Sequence, residues 1–173
     1  MKKLIFPLAI LLFFSFTQDS EIRLDPKDKE WIMKHLTETR EHMKQVLDGL
    51  SDEQLDYKPD PTSWSIAENV EHLALTEKMF IESVHKSVAD GPNPSLKDSL
   101  VFKDGQIMPM VADRSQKVKT SEPFEPSGQY GSTEETLAAL LAIRQELMEY
   151  VETTEDDLRN RYAKLPFGTV DAA

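Results

Sequence analysis

Cysteine is absent from the 173-residue chain. That removes disulfide frameworks, thiolate metal sites, cysteine nucleophiles and a lipid anchor of the lipoprotein kind, which needs a cysteine. Glycine is scarce, with six in all, and none of it forms a phosphate-cradling loop. Neither a G-x-S-x-G elbow nor an H-E-x-x-H pair occurs, so serine, phosphoryl and nucleotide chemistry find no support. Basic charge is also short: 20 Lys and Arg face 31 Asp and Glu, giving a formal charge of −11 and a pI near 4.8. Such a chain lacks the basic surface that neutralises a row of phosphates, which argues against nucleic acid and against anionic membranes as partners. What remains, 39% hydrophobic and 29% charged, suits one globular domain with a real core.

One long apolar run exists. Lys2 and Lys3 precede the mostly apolar stretch Leu4 to Phe16, and the chain turns polar at Gln18, Asp19, Ser20 and Glu21. This profile predicts a secretory signal peptide over residues 1–17, with cleavage after Thr17 and Ser15 as the small residue before it. A spanning helix needs roughly 20 apolar residues, and Pro7 interrupts this shorter run. An uncleaved apolar anchor is the alternative. Residues 18–173 then form the domain, and its expected location is periplasmic or extracellular.

Helical spacing dominates that domain. Asp25-Pro26 reads as a cap and first turn, and Ile32, Leu36, Met43, Val46 and Leu50 predict a helix from about Pro26 to Asp48. Pro59 and Pro61 prevent a long helix between Ser51 and Ser63. Ser65-Ile66-Ala67-Glu68 is a capping box that opens a second helix to about Ala89. Ser132-Thr133-Glu134-Glu135 opens a third, about Thr133 to Glu152, and a short helical turn is expected near Glu155 to Asn160. Between them, Asp90 to Gln129 is a long connection with five prolines, where Asp104-Gly105 suggests a very short hairpin. The fold class is therefore all-α, a bundle with three main helices.

At 100° per residue, Glu77 falls within the stripe formed by Val70, Leu73, Phe80, Ile81 and Val84. Arg144 does the same among Leu137, Leu140, Leu141, Met148 and Val151. A lone charge at either place is costly to desolvate, so the expectation is that the two pair. Such a pair either fixes helix register or forms the polar floor of a ligand cavity. His72 lies on a flank with Glu68, Leu75, Thr76 and Met79. By itself it is a weak metal-ligand signal, because a site needs three or four converging donors. His35 and His42 are seven residues apart, about 10 Å along a helix, too far to share an ion, and they and His85 read as solvated.

Pro59-Asp60-Pro61-Thr62-Ser63-Trp64-Ser65-Ile66-Ala67-Glu68, then Glu71-His72-Leu73 and Glu77, resemble the DinB-like family. Asp113-Arg114, Pro123, Gly128, the helix carrying Arg144 and Leu165-Pro166-Phe167-Gly168 extend the likeness over nearly the whole domain. The resemblance implies a four-helix bundle with a long crossover between helices 2 and 3, and a divalent metal, zinc or nickel, held by one histidine on the second helix and two on the fourth. His72 matches the first of these. It also implies a metal-dependent hydrolase or a transferase using small thiols, in which the ion lowers the pKa of its bound water.

The fourth helix of the pattern would begin near Val170-Asp171-Ala172, so neither partner histidine is present, and a truncated chain is expected. Its loss would leave apolar side chains facing water, each worth about 1.5–3 kcal/mol when buried. A homodimer covering that groove is one expected remedy. The competing functional reading is a non-catalytic helical binding module or a truncated remnant.

Overall fold

The computed structural model describes residues 24–173 apart from Arg114, Gln116, Lys117, Pro166 and Phe167. The expected signal peptide and its cleavage point after Thr17 lie outside the described residues, as do Arg114, Pro166 and Phe167 of the family-like motifs. Among the described residues, no helix is long and apolar enough to cross a membrane.

Helix α1 spans Pro26–Leu47, opened by Asp25, whose carboxylate accepts from Lys27 N–H, with Pro26 in the first turn. A one-turn α2, Asp52–Asp56, begins at a Ser51/Gln54 capping box. Helix α3 covers Ile66–Asp90. Ser65 and Glu68 cap it reciprocally, and it ends at Gly91, whose φ of 88° suits glycine. After the crossover, α5 runs Thr133–Thr153 behind a Ser132/Glu135 box. The bundle is all-α, with one small hairpin added at the end.

Helix α5 is the centre: it packs on α3 along one side and on α1 along another. Val70 and Ala74 of α3 meet Leu140 of α5 in the buried nucleus, and Met43, Leu47, Tyr130 and Leu137 close around it. Ile81, Met148 and Val151 continue the buried layer toward the other end. The apolar stripe of α3 is narrower than its spacing suggests. Leu73 and Phe80 stand 43% and 40% exposed, because only α5 covers that side closely, and the smaller Ala74 takes the central place instead.

Two expected elements are corrected. Asp104-Gly105 does not turn a hairpin; it begins helix α4, Asp104–Ala112. Gln106 Oε1 accepts from Lys103 N–H at 2.9 Å, satisfying an amide at the helix start, where a glycine in the first turn costs little. Near Val170 the chain is not helical. A 3-10 turn at Leu158–Asn160 leads into β1, Tyr162–Leu165, which pairs antiparallel with β2, Gly168–Asp171, in the register Tyr162 to Asp171 and Leu165 to Gly168. Thr169 and Val170 are β-branched, and Gly168 sits at φ 132°, so the segment favours a tight hairpin. A Cβ at Gly168 would lie 2.5 Å from Val101 Cγ1, which shows how closely the crossover approaches β2. Val101 N–H donates to Thr169 O at 3.1 Å across that approach.

Candidate functional site

The crossover returns to the bundle through a 3-10 turn at Glu122–Phe124, which docks on α3. Two adjacent residues of α3 hold it there. His72 Nδ1 lies 2.9 Å from Phe124 O. A carbonyl only accepts, so Nδ1 carries the proton, and in the neutral ring Nε2 keeps its lone pair. The imidazole is half-buried and packs against Trp64, with ring centroids 4.9 Å apart.

One residue earlier, Glu71 is only 6% exposed. Its carboxylate accepts from the backbone N–H groups of Ser127 at 3.2 Å, Gly128 at 3.0 Å and Gln129 at 2.9 Å. Gly128, at φ 76°, takes the left-handed conformation that lets successive amides converge on one anion. Glu71 and His72 together fasten the chain on both sides of Pro126.

Next to Glu71 lies a cavity of about 390 Å³ between the starts of α3 and α5, lined by Lys58, Ser65, Glu68, Glu71, Gly128 and Thr136 among others. His72 does not line it. Lys58 Nζ donates to Glu68 Oε1 at 2.6 Å, and Ser65 N–H donates to Glu68 Oε2 at 2.8 Å. Burial works to raise the Glu68 carboxyl, and these two hydrogen bonds outweigh it, holding the group below the ordinary carboxylate range. A depressed carboxylate contributes stability above its unfolded pKa and loses it as pH falls through the folded value. Acid should therefore fray the start of α3 below about pH 4, and Glu68→Gln should flatten that loss. Circular dichroism melting of both forms between neutral pH and about pH 3 checks this.

Glu77 and Arg144 meet between the helices. Arg144 Nε donates to Glu77 Oε2 at 2.9 Å, and Nη2 donates to Glu77 Oε1. Its remaining nitrogen, Nη1, donates to Leu36 O at 3.0 Å and Thr39 Oγ1 at 2.8 Å on α1. The two side chains are 13% and 14% exposed. One guanidinium thus ties α5 to α3 and α1 at once, in the bidentate geometry that carboxylates match best.

The other histidines lie elsewhere. His35 Nδ1 is 2.8 Å from Trp31 O, a local contact within α1. His42 is exposed, and His85 stands edge-on to Tyr150 at 5.1 Å. Among the described residues, no group of three or more His, Asp or Glu side chains converges as a metal cluster. His72 is a suitable single donor, yet one donor does not make a coordination sphere. The described residues do not fit a complete divalent site.

Glu71 was not legible as a site residue. The excess of acidic residues predicts solvated carboxylates, and only the return of a loop 56 residues away reveals its role. The one signal was its place beside His72 in a family-like motif.

The DinB superfamily model matches residues 35–173. This chain belongs to the DinB superfamily. Proteins of this family are generally metal-dependent. The chain is also similar to the uncharacterized protein YuaE of Bacillus subtilis (strain 168), with 25% identity over 125 residues, covering 72% of this chain and 73% of that protein. No solved structure matches significantly.

Proposed function

We propose that this DinB-superfamily chain is an exported protein in which His72 supplies one ligand to a divalent metal, zinc or nickel, in the service of a hydrolase or a thiol-dependent transferase. The observation that carries this reading is the Phe124 carbonyl 2.9 Å from His72 Nδ1. Metal-binding histidines commonly donate their other N–H to a carbonyl, which fixes the tautomer and ring orientation and leaves the second nitrogen free for the ion. Trp64 restricts the ring further. Glu77 lies five residues beyond His72, about 7 Å along α3, and its pairing with Arg144 sets the register of the helices around this position.

Calorimetric titration of the purified chain with Zn²⁺ and Ni²⁺, beside His72→Ala and His72→Gln, tests this. The wild type should bind at least about tenfold more tightly than either variant, a difference of about 1.4 kcal/mol or more, with unchanged helicity. Equal binding in all three removes His72 from the site. The non-catalytic binding module draws support from the single donor, and it predicts that none of the three binds metal.

A further inference from the structure

Glu71 and His72 are neighbours on α3, and the two points of the crossover that they hold are close together. Phe124, whose carbonyl meets His72 Nδ1 at 2.9 Å, stands three residues before Ser127, the first of the three amides that converge on Glu71. Little in the span between them can turn. Pro123 lies in the 3-10 turn, Phe124 N–H donates to Ser121 O at 2.9 Å, and Glu125 N–H donates to Glu122 O at 3.1 Å. Glu125 has φ −71° and ψ 131°, the extended conformation that a following proline favours. Pro126 fixes its own φ. A displacement at residues 127–129 is therefore carried to the Phe124 carbonyl instead of being absorbed on the way.

The imidazole depends on that carbonyl. A neutral histidine exchanges between two forms, with the proton on either ring nitrogen, and the form that persists is set by what the nitrogens meet. Among the described residues the ring of His72 has one hydrogen-bond partner, Phe124 O. Trp64, tilted 48° to the ring, confines it without choosing between its nitrogens. The loop in turn is not free to leave Glu71. A carboxylate buried this deeply is costly unless satisfied, and the amides of residues 127–129 satisfy it.

We propose that Glu71 is a positioning residue for His72: by gathering the amides of Ser127, Gly128 and Gln129 it sets where the Phe124 carbonyl stands, and through that carbonyl it fixes which ring nitrogen carries the proton. The inference deepens the reading of His72 as a donor and rests on it for its use, since a ring held in this form keeps Nε2 bare for a ligand. The form of the ring is nevertheless a property of the chain with no ion present.

The test is long-range proton–nitrogen correlation on ¹⁵N-histidine-labelled full-length protein, without added metal, at a mildly alkaline pH where ordinary imidazoles are neutral. In the wild type, His72 should show a protonated Nδ1 and a bare Nε2, well separated in shift. In Glu71→Ala the two signals should converge toward the average of a mixed population. Glu71→Gln, which keeps one acceptor oxygen, should restore part of the separation. Gly128→Ala disturbs the same amides from the loop side: φ of 76° disfavours a side chain, although a Cβ there meets nothing within 4 Å. It should reproduce the convergence without touching α3. Met148→Ala, which opens a cavity in the buried layer farther along α5, is the control for lost stability and should leave the His72 signals in place. Circular dichroism confirms that each variant is folded. Unmoved His72 signals in folded Glu71→Ala and Gly128→Ala overturn the proposal, because the Phe124 carbonyl is then placed by the packing of its own turn on α3. Equal movement in Met148→Ala overturns it as well, making the ring a reporter of general loosening. Every ring state is read before Zn²⁺ is added, so a silent ion titration afterwards removes the metal donor, while the ion-free spectra decide the role of Glu71.

Discussion

Arg144→Met in an otherwise unchanged chain should lower stability by about 3–5 kcal/mol, because Glu77 is left nearly buried with no counter-charge. In a chain of this size that corresponds to a fall in melting temperature of roughly 6–20 °C. Glu77→Leu should cost a similar amount, since it strands the guanidinium. The double variant Glu77→Leu/Arg144→Met should recover most of the loss, because two apolar side chains of comparable volume need no partner. Thr39 Oγ1, which accepts from Arg144, also donates to His35 O at 2.7 Å, so it keeps a partner in the double variant. Thermal or urea denaturation of the four proteins forms a double-mutant cycle. A coupling energy near zero would mean that the two charges do not depend on each other.

Glu71→Ala is the second large effect. Three backbone amides lose a shared anionic acceptor, and hydrogen bonds to charged groups are the stronger kind. Ser127, Gly128 and Gln129 are themselves exposed, so water satisfies them after the substitution and the cost is moderated to about 2–3 kcal/mol. Glu71→Gln keeps one acceptor oxygen and should lose about half as much. Hydrogen exchange distinguishes this from general destabilisation. Protection should fall first at residues 127–129 and the neighbouring Phe124 turn, while the amides of α5 keep theirs. Uniform loss of protection across the bundle would mean that Glu71 supports the core and not the returning crossover.

The three long helices were legible because each begins with side chains that bind its own first amides. Asp25, the Ser65/Glu68 box and the Ser132/Glu135 box are local chemistry, complete within four residues, and no distant partner is required to see them. The placement of Glu77 and Arg144 on apolar faces was legible for the same reason, since one helical period sets it. Asp104-Gly105 misled because the same dipeptide serves a turn or the first turn of a helix, and Gln106 decides between them through a single bond to Lys103 N–H. The hairpin near Thr169 depended on Gly168 meeting Val101, a contact 67 residues apart in sequence that no local pattern announces. Glu71 was hidden for an equivalent reason: a carboxylate on a helix looks solvated until a loop closes over it.

Those two residues, Glu71 and His72, bind the same loop and yet offer different chemistry. Glu71 spends both oxygens on the backbone. His72 spends one nitrogen. The second nitrogen is the only imidazole donor that the described part of α3 presents in a fixed orientation, His85 being exposed and standing edge-on to Tyr150.

Its state can be read directly. Long-range proton–nitrogen correlation on ¹⁵N-histidine-labelled protein at neutral pH separates protonated from lone-pair ring nitrogens for each of the four histidines. His72, identified by its disappearance in His72→Gln, should show a protonated Nδ1 and an unprotonated Nε2, and Zn²⁺ or Ni²⁺ should shift or broaden the Nε2 signal alone. A proton on Nε2, or a spectrum unmoved by either ion, would contradict the assignment of His72 as a metal donor.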